Sequence, residues 1–205
     1  MKFSDLVRKR RSVRSYEPGR AISDDELKAI FDEVILSPSS FNLQHWTFIV
    51  VRDAARKQQL RAAAMNQAQV EEASAVVLVC GKLDAYRDVS TIYNEMPPEV
   101  HDRMVAMIGG IYDDNSVMQR DEAIRGASLA AMSLMYAAQA RGYATGPMIG
   151  FDPQQVSELL ELGPNYLPVM MIVMGTQKDE PMPRGYRRPL PEVVRLETLN
   201  GPGLE

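Results

Sequence analysis

Residues 120–141 carry the longest helical pattern in the chain. Apolar side chains recur there at the three- and four-residue spacing of one helix face, and Gly142 follows as a left-handed stop. The stripe consists of Ile124, Ala127, Ala131, Leu134, Met135 and Ala138. Because the segment is rich in Ala, Ser and Met and has little polar surface, we expect it to lie in the core, in a dimer interface, or in both.

Shorter elements are predicted on either side of this helix. Helices are expected over residues 4–9 and 54–64. A further helix is expected to begin at the capping box of Ser23 and Glu26 and to stop at Ser37-Pro38, and another to run from Asp152-Pro153 to Gly163. Apolar and β-branched runs predict strands over 47–51, 75–80 and 169–174. In the first helix, Phe3, Leu6 and Val7 are expected to be buried.

Length and composition favour one globular domain over residues 1–205, because 45% of the side chains are apolar. A net charge of -4 argues against nucleic acid as a partner. Cys80 is the single cysteine, and no signal peptide or membrane-length apolar run is apparent, so we expect a cytoplasmic protein with no membrane partner. Residues 83–112 are either a lid over a pocket or a surface insertion, and the Pro-rich tail 178–205 is not core.

The common catalytic motifs are missing from the sequence. Two histidines and one cysteine cannot supply an ordinary zinc site, and neither a phosphate-binding glycine loop nor a G-x-S-x-G elbow occurs. We therefore expect no metal site and no catalytic protein nucleophile. If the chain is an enzyme, a bound cofactor is expected to perform the chemistry.

Four segments have the residue types of a binding site: residues 10–14 (RRSVR), 37–46 (SPSSFNLQHW), 146–152 (GPMIGFD) and 184–190 (RGYRRPL). The guanidiniums of the first can pair bidentately with a phosphate. Taken alone, however, a short basic cluster is more often a solvated surface or a nonspecific contact for nucleic acid.

In combination, order and spacing, the four segments resemble the nitroreductase family of FMN-dependent oxidoreductases, and the resemblance covers essentially the whole chain. It implies an α+β fold, with helices around a small, mixed, mainly antiparallel sheet. It also implies an intertwined homodimer with two FMN sites at the subunit interface. Each C-terminal extension, within 178–205, would wrap the partner subunit and add a strand to its sheet.

The resemblance also implies residue roles. Near the FMN phosphate it places Arg10, Arg11, Arg187 and Arg188, with Ser12 on the ribityl or phosphate oxygens. Arg14 would lie beside the N1/O2 edge of the flavin, where a positive charge raises the reduction potential. The loop expected to reach the flavin from the second subunit contributes Pro38, Ser39, Ser40, Asn42 and Gln44.

The ring itself would be contacted by two further groups. Asn66 or Gln69 is expected to bind the pyrimidine edge. The isoalloxazine face would be covered by Pro147, Met148, Ile149 and Gly150, with a backbone N–H of one of the last two donating to N5. Two positions depart from the family pattern: Ile149 replaces a common Glu, and His45 replaces a common Pro. His45 is either a titratable group near the flavin or a loop imidazole bonded to backbone.

The expected activity is a ping-pong transfer of hydride from NADH or NADPH through flavin N5 to a small, electron-poor acceptor, such as a nitroaromatic or a quinone. Reductive dehalogenation, enone reduction and flavin-consuming biosynthesis remain open on the same fold. Two roles without catalysis also remain open: a module that binds an anion, and a purely structural dimer.

Overall fold

A computed structural model describes residues 2–205 and places one four-stranded sheet at the centre of the chain. The strands are β1 (Trp46–Val51), β2 (Ala75–Lys82), β3 (Ala144–Met148) and β4 (Tyr166–Gly175), in the order β1-β2-β4-β3. All neighbouring strands are antiparallel, with Val77 of β2 opposite Val50 and Ile172. The expected parallel component is an isolated bridge between Ser12 and Thr145.

Helices cover both faces of this sheet, which confirms the α+β class. They are α1 (Phe3–Lys9), α2 (Asp24–Val34), α3 (Ala54–Ala63), α4 (Gln69–Glu72), α5 (Val89–Ile92), α6 (Pro98–Tyr112), α7 (Ser116–Ala140), α8 (Pro153–Leu159) and α9 (Leu190–Val193). Val77 and Val79 face the core that α2 and α7 close, whereas Val76 and Leu78 face the core that α3 and α8 close. This alternation is the two-residue period of a strand buried on both sides.

The long helix α7 is the central helix that the sequence predicts. Ala127, Ala131 and Leu134 are buried against α2 and the sheet, and Gly142 has the expected positive φ of 84°. The helix begins at Ser116, four residues before the predicted start. The side chain of Asn115 accepts a hydrogen bond from the amide of Met118 at 3.1 Å and caps this earlier turn.

The prediction for α1 is wrong in part. Leu6 is buried, but 69% of the Phe3 side chain is exposed and Val7 is exposed as well. Phe3 makes an edge-to-face contact with Tyr136, with ring centroids 5.5 Å apart. A seven-residue helix lying on α7 through one face buries one apolar residue and leaves the others at the surface of the chain.

Residues 83–112 fold into a short 3-10 turn followed by α5 and α6; α5 packs on α6, and α6 packs on α7. Their apolar side chains form a third cluster, which joins Leu43 to Tyr86, Ile108 and Tyr112. The segment is therefore a packed helical insertion. Its role as a lid stays a prediction.

The tail passes the arginine-rich N-terminal segment, forms α9 and ends in a narrow loop closed by a bridge between Arg195 and Gly203. Leu190, Val193 and Leu199 of this tail are exposed. Its exchange with a partner subunit stays a prediction. Within residues 2–205, none of the helices combines the length and apolarity that crossing a membrane requires.

Candidate functional site

The arginine segment lies along the start of β3. Val13 donates its backbone N–H to the carbonyl of Thr145 at 3.0 Å, beside the Ser12–Thr145 bridge. Tyr16 is fully buried and donates its hydroxyl to the carbonyl of Val13 at 3.1 Å. Burial raises the pKa of Tyr16, so the hydroxyl stays protonated and keeps donating. The first and third predicted segments are thus adjacent in the fold.

A cleft of about 360 Å³ separates the arginine segment from the tail. The charged side chains that line it are Arg10, Arg11, Arg14, Arg184, Arg187, Asp179 and Glu180. The cleft is therefore lined by five guanidiniums and two carboxylates. Such an excess of positive charge in one cleft favours a multiply charged anion as ligand.

Arg10 is the most constrained of these cations. Its Nη1 is buried and has no hydrogen-bond partner within residues 2–205. Burial lowers the pKa of Arg10, and the charges of Arg184, Arg187 and Arg11 lower it further. A buried donor without an acceptor is costly, so this nitrogen is suited to an anionic oxygen.

The tail supplies the opposite wall of the cleft. Arg184 donates from Nη2 to the carbonyls of Arg8 and Arg10 at 2.9 and 2.8 Å, and Arg11 donates to the carbonyl of Met182. Arg187 lines the cleft and donates to the carbonyls of its own neighbours, Gly185 and Tyr186. Arg188 is exposed and is not among the residues that line the cleft.

The third segment follows β3 out of the sheet. Pro147 and Met148 end the strand, and the Ile149 side chain is 77% exposed. Gln69 is buried beside it, with Nε2 3.6 Å from Sδ of Met148. Asn66 lies on an exposed turn with a φ of 55°. Of the two predicted amides, Gln69 is thus the one that contacts the third segment.

Gln67 also holds this segment, although no sequence pattern singles it out. Its Nε2 donates to the carbonyl of Gly150 at 2.9 Å and to that of Ala64 at 3.2 Å. The contact depends on left-handed conformations at Met65 and Asn66, which turn the chain back towards β3. Since both residues are ordinary L-amino acids, this turn has no glycine signal in the sequence.

The Ser/Asn loop is built separately. Ser37 is buried and donates to the carbonyl of Val34 at 2.7 Å, with the hydroxyl of Ser133 on α7 also 2.7 Å away. Beyond it, Ser39 accepts from the amide of Gln44 at 2.9 Å. Gln44 in turn donates from its side chain to the carbonyl of Asn42 at 3.2 Å.

The backbone of this loop is strained. Phe41, Asn42 and Gln44 have φ values of 50°, 55° and 50°, a cluster of strain of the kind found at functional loops. Pro38 and Ser40 lie on its accessible side, exposed and half-buried respectively. Within residues 2–205, no hydrogen bond or ion pair joins residues 38–44 to residues 10–14. One chain therefore contributes two separate groups of predicted site residues.

His45 is not the loop imidazole with a backbone partner that was one expectation. Its side chain is 1% exposed and stacks on Tyr112 at a centroid distance of 5.9 Å, and neither ring nitrogen has a partner in the described part of the chain. Burial lowers the pKa of His45 to about 4. The ring is therefore neutral at pH 7 and packs next to Gly126 of α7.

Comparison with known proteins gives a consistent result. Residues 7–176 match the family model described as the nitroreductase family. MhqN of Bacillus subtilis (strain 168), whose name assigns it to the NAD(P)H nitroreductases, is 40% identical over 200 residues, covering 94% of this chain and 97% of that protein. The CLA biosynthesis enone reductase of Lactiplantibacillus plantarum is 32% identical over 190 residues, covering 88% of each.

Solved structures show the same likeness. A crystal structure described as that of a nitroreductase from Exiguobacterium sibiricum 255-15, in complex with FMN, matches with a TM-score of 0.90 at 34% identity. The match covers 96% of this chain and 98% of the other. Sequence and fold similarity thus extend over nearly the full length of both proteins.

Proposed function

Because the chain belongs to the nitroreductase family, we propose that it is an FMN-dependent oxidoreductase that transfers hydride from NADH or NADPH to an electron-poor acceptor. The observation that carries this proposal is the buried Nη1 of Arg10, which has no hydrogen-bond partner among residues 2–205 and lies in a cleft of five guanidiniums. That cleft adjoins, through the Ser12–Thr145 bridge, the exposed segment that ends β3. The first feature fits a phosphate, and the second fits a flat ring.

At the phosphate end, Arg10, Arg11 and Arg187 would hold the dianion, and Ser12 would bond the ribityl or phosphate oxygens. Hydrogen bonds to charged groups contribute about 1.5 to 3 kcal/mol each. Arg188 is exposed outside the cleft and is the weaker candidate of the arginine pair. The fit therefore rests on side chains that already converge within one chain.

At the ring end, Pro147, Met148 and Gly150 would form the surface under the isoalloxazine, with Gln69 at its polar edge. When bound, FMN supplies the hydride-accepting centre, so the protein has to bind the flavin, orient it and tune its reduction potential. Arg14 is exposed at the edge of the cleft, where its charge would favour electron uptake. We propose a ping-pong order, in which donor and acceptor use the same exposed face beside Ile149 in turn.

We further propose that the working unit is a homodimer. The loop 38–44 is strained, and within residues 2–205 it has no hydrogen bond to the arginine segment. Ser37, just before the loop, bonds to Val34 and Ser133, and the carbonyl of Phe41 in the loop accepts from the hydroxyl of Tyr93. The loop would complete the site of a second copy. Three exposed apolar side chains support such an interface: Phe3 on α1, Leu36 in the turn after α2, and Leu129 on α7.

An absorbance spectrum tests the activity directly. We expect the purified protein to carry visible flavin bands that bleach anaerobically on addition of NADH or NADPH and return on addition of a nitroaromatic or quinone. A colourless protein that FMN cannot reconstitute would refute the proposal and favour an anion-binding or structural role.

Enone reduction is the second candidate reaction. The exposed, apolar Ile149 offers an uncharged surface at the site, and the Lactiplantibacillus plantarum enone reductase is similar over 88% of this chain. Under this proposal, Ile149→Glu should lower kcat/KM for an apolar enone more than for a nitroaromatic. Equal effects on both acceptors would argue against a specific role for the enone.

A further inference from the structure

Residues 179–187 cross the arginine segment and form one wall of the cleft. We call them the strap. The strap begins where Lys178 donates its amide to the carbonyl of Ser15 at 3.1 Å and Ser15 donates its hydroxyl to Asp179 at 2.5 Å. Farther along, Arg184 bonds the carbonyls of Arg8 and Arg10. Polar contacts therefore attach the strap at both ends.

The strap has little apolar anchorage. The side chains of Met182 and Tyr186 are 81% and 78% exposed, and of its residues only Pro181 is half-buried. A segment held by a few solvent-exposed hydrogen bonds opens locally at much lower cost than a core element. Opening of the strap would leave the sheet and α1 in place.

The strap carries two carboxylates, Asp179 and Glu180, and two guanidiniums, and it is the guanidiniums that oppose its closure. Closure brings Arg184 and Arg187 towards Arg10 and Arg11, and like charges in a partly desolvated cleft repel. A dianion between the two groups would turn this repulsion into attraction. Closure of the strap and binding of a phosphate would then be linked, and each would favour the other.

We propose that the strap opens to admit the phosphate end of FMN and is then held closed by it, with Arg184 as the positioning residue that ties the strap to the arginine segment. This inference rests on the proposed function, because it takes FMN as the ligand. Arg184 acts through two backbone carbonyls and strap position, and so it sets how long the phosphate is retained.

Hydrogen exchange with two flavins separates this role from general stabilisation. FMN and riboflavin share the ring, but riboflavin lacks the phosphate. In the flavin-free protein we expect fast exchange over residues 179–187. Saturating FMN should slow it about tenfold or more, as expected for new charge-assisted bonds, whereas saturating riboflavin should leave it unchanged.

Variants then test Arg184. Arg184→Gln should raise the rate of FMN release about tenfold, followed by the fluorescence of free flavin, and should leave riboflavin affinity within about twofold. Arg184→Lys keeps the charge and a donor and should partly restore retention. Lys178→Gln is the control. It removes one neighbouring positive charge, from a side chain with no hydrogen-bond partner within residues 2–205, and its rate of FMN release should match that of the wild type.

The results of these experiments separate the strap proposal from the proposed function. Equal protection of the strap by FMN and riboflavin, or equal release rates for Arg184→Gln and Lys178→Gln, would overturn the strap proposal while leaving the proposed function intact. A protein that binds neither flavin would overturn both. Selective protection by FMN together with faster release from Arg184→Gln would establish the link.

Discussion

The carbonyl oxygen of Val13 lies so close to Gly146 that a Cβ placed on the glycine would stand 2.4 Å from it. The same Cβ would also stand 2.9 Å from Cγ2 of Val173. Glycine at position 146 therefore allows the arginine segment to lie flat on β3. The position of the anion cleft relative to the ring-binding segment depends on this contact.

Gly146→Ala should consequently damage stability and cofactor binding together. Because the obstructing atom is backbone, the arginine segment has to shift, at a cost of about 1–3 kcal/mol in the free energy of unfolding. Urea unfolding and FMN titration measure the two effects. Gly110→Ala in α6 is the control, since nothing lies within 4 Å of its Cβ position. The control should stabilise the helix slightly, and comparable losses in both variants would contradict the packing argument.

Local signals made some elements predictable. The capping box of α2 forms as expected, with Glu26 N–H donating to Ser23 at 3.2 Å and Ser23 N–H donating to Glu26 at 2.9 Å. Both bonds join residues three apart. By contrast, α6 mixes charges with apolar residues, and the burial of Ile108 and Tyr112 depends on Leu43 and Tyr86, which are distant in sequence. No periodic pattern marks contacts of that kind.

The same division holds for the candidate site. The residue types of its segments could be recognised in the sequence, since arginines, hydroxyls and glycines suit a phosphate and a ring. The family resemblance also brought Arg10, Arg11 and Arg187 together, and all three line the cleft. Which other side chains join them could not be recognised, because that depends on long-range pairing. Arg184 bonds Arg10 across 174 positions and Gln67 bonds Gly150 across 83. The buried ring of His45, without a hydrogen-bond partner in the described part of the chain, is likewise a product of tertiary packing on α7.

Glu26 should make the protein acid-sensitive. Hydrogen bonds from Tyr143 and Ser23 lower the pKa of Glu26 from 4.5 to about 2. The stabilisation is therefore present above pH 4.5 and is lost as the pH falls towards 2. Tyr143→Phe should lose less stability across that interval than the wild type, as measured by urea midpoints. Tyr166→Phe alters a hydroxyl with no hydrogen-bond partner in the described chain and should keep the wild-type dependence.

His45 should produce a second pH effect in a different range. Burial lowers its pKa from 6.5 to about 4, so the unfolded chain binds a proton that the folded chain does not. The free energy of unfolding should fall as the pH drops from 6.5 towards 4. His45→Phe keeps an aromatic ring beside Tyr112 and should flatten this slope. If His101→Gln flattens it instead, His45 is not its source.

Arg187 and Arg188 should differ in their effect on the cofactor. Arg187 lines the cleft, whereas Arg188 is exposed outside it. Arg187→Ala should weaken FMN binding about tenfold or more, as expected for a charge-assisted bond, with little change for riboflavin. Arg188→Ala should change FMN binding less than threefold by the same titration. A larger effect at Arg188 than at Arg187 would contradict this prediction. It would mean that Arg188 reaches the phosphate in the assembled dimer.

Hybrid dimers should show that two chains build each site. Arg10→Ala impairs the arginine segment, and Ser40→Phe impairs the loop. The Ser40 hydroxyl is half-buried and has no hydrogen-bond partner within residues 2–205. Each variant homodimer should bind FMN weakly and keep the thermal unfolding midpoint of the wild type. If the loop serves the other subunit, a hybrid of the two variants has both lesions in one site and none in the other. Titration should then find one site of wild-type affinity per dimer. If each chain builds its own site, both sites carry a lesion and no tight site appears, so the stoichiometry of tight binding distinguishes the two arrangements.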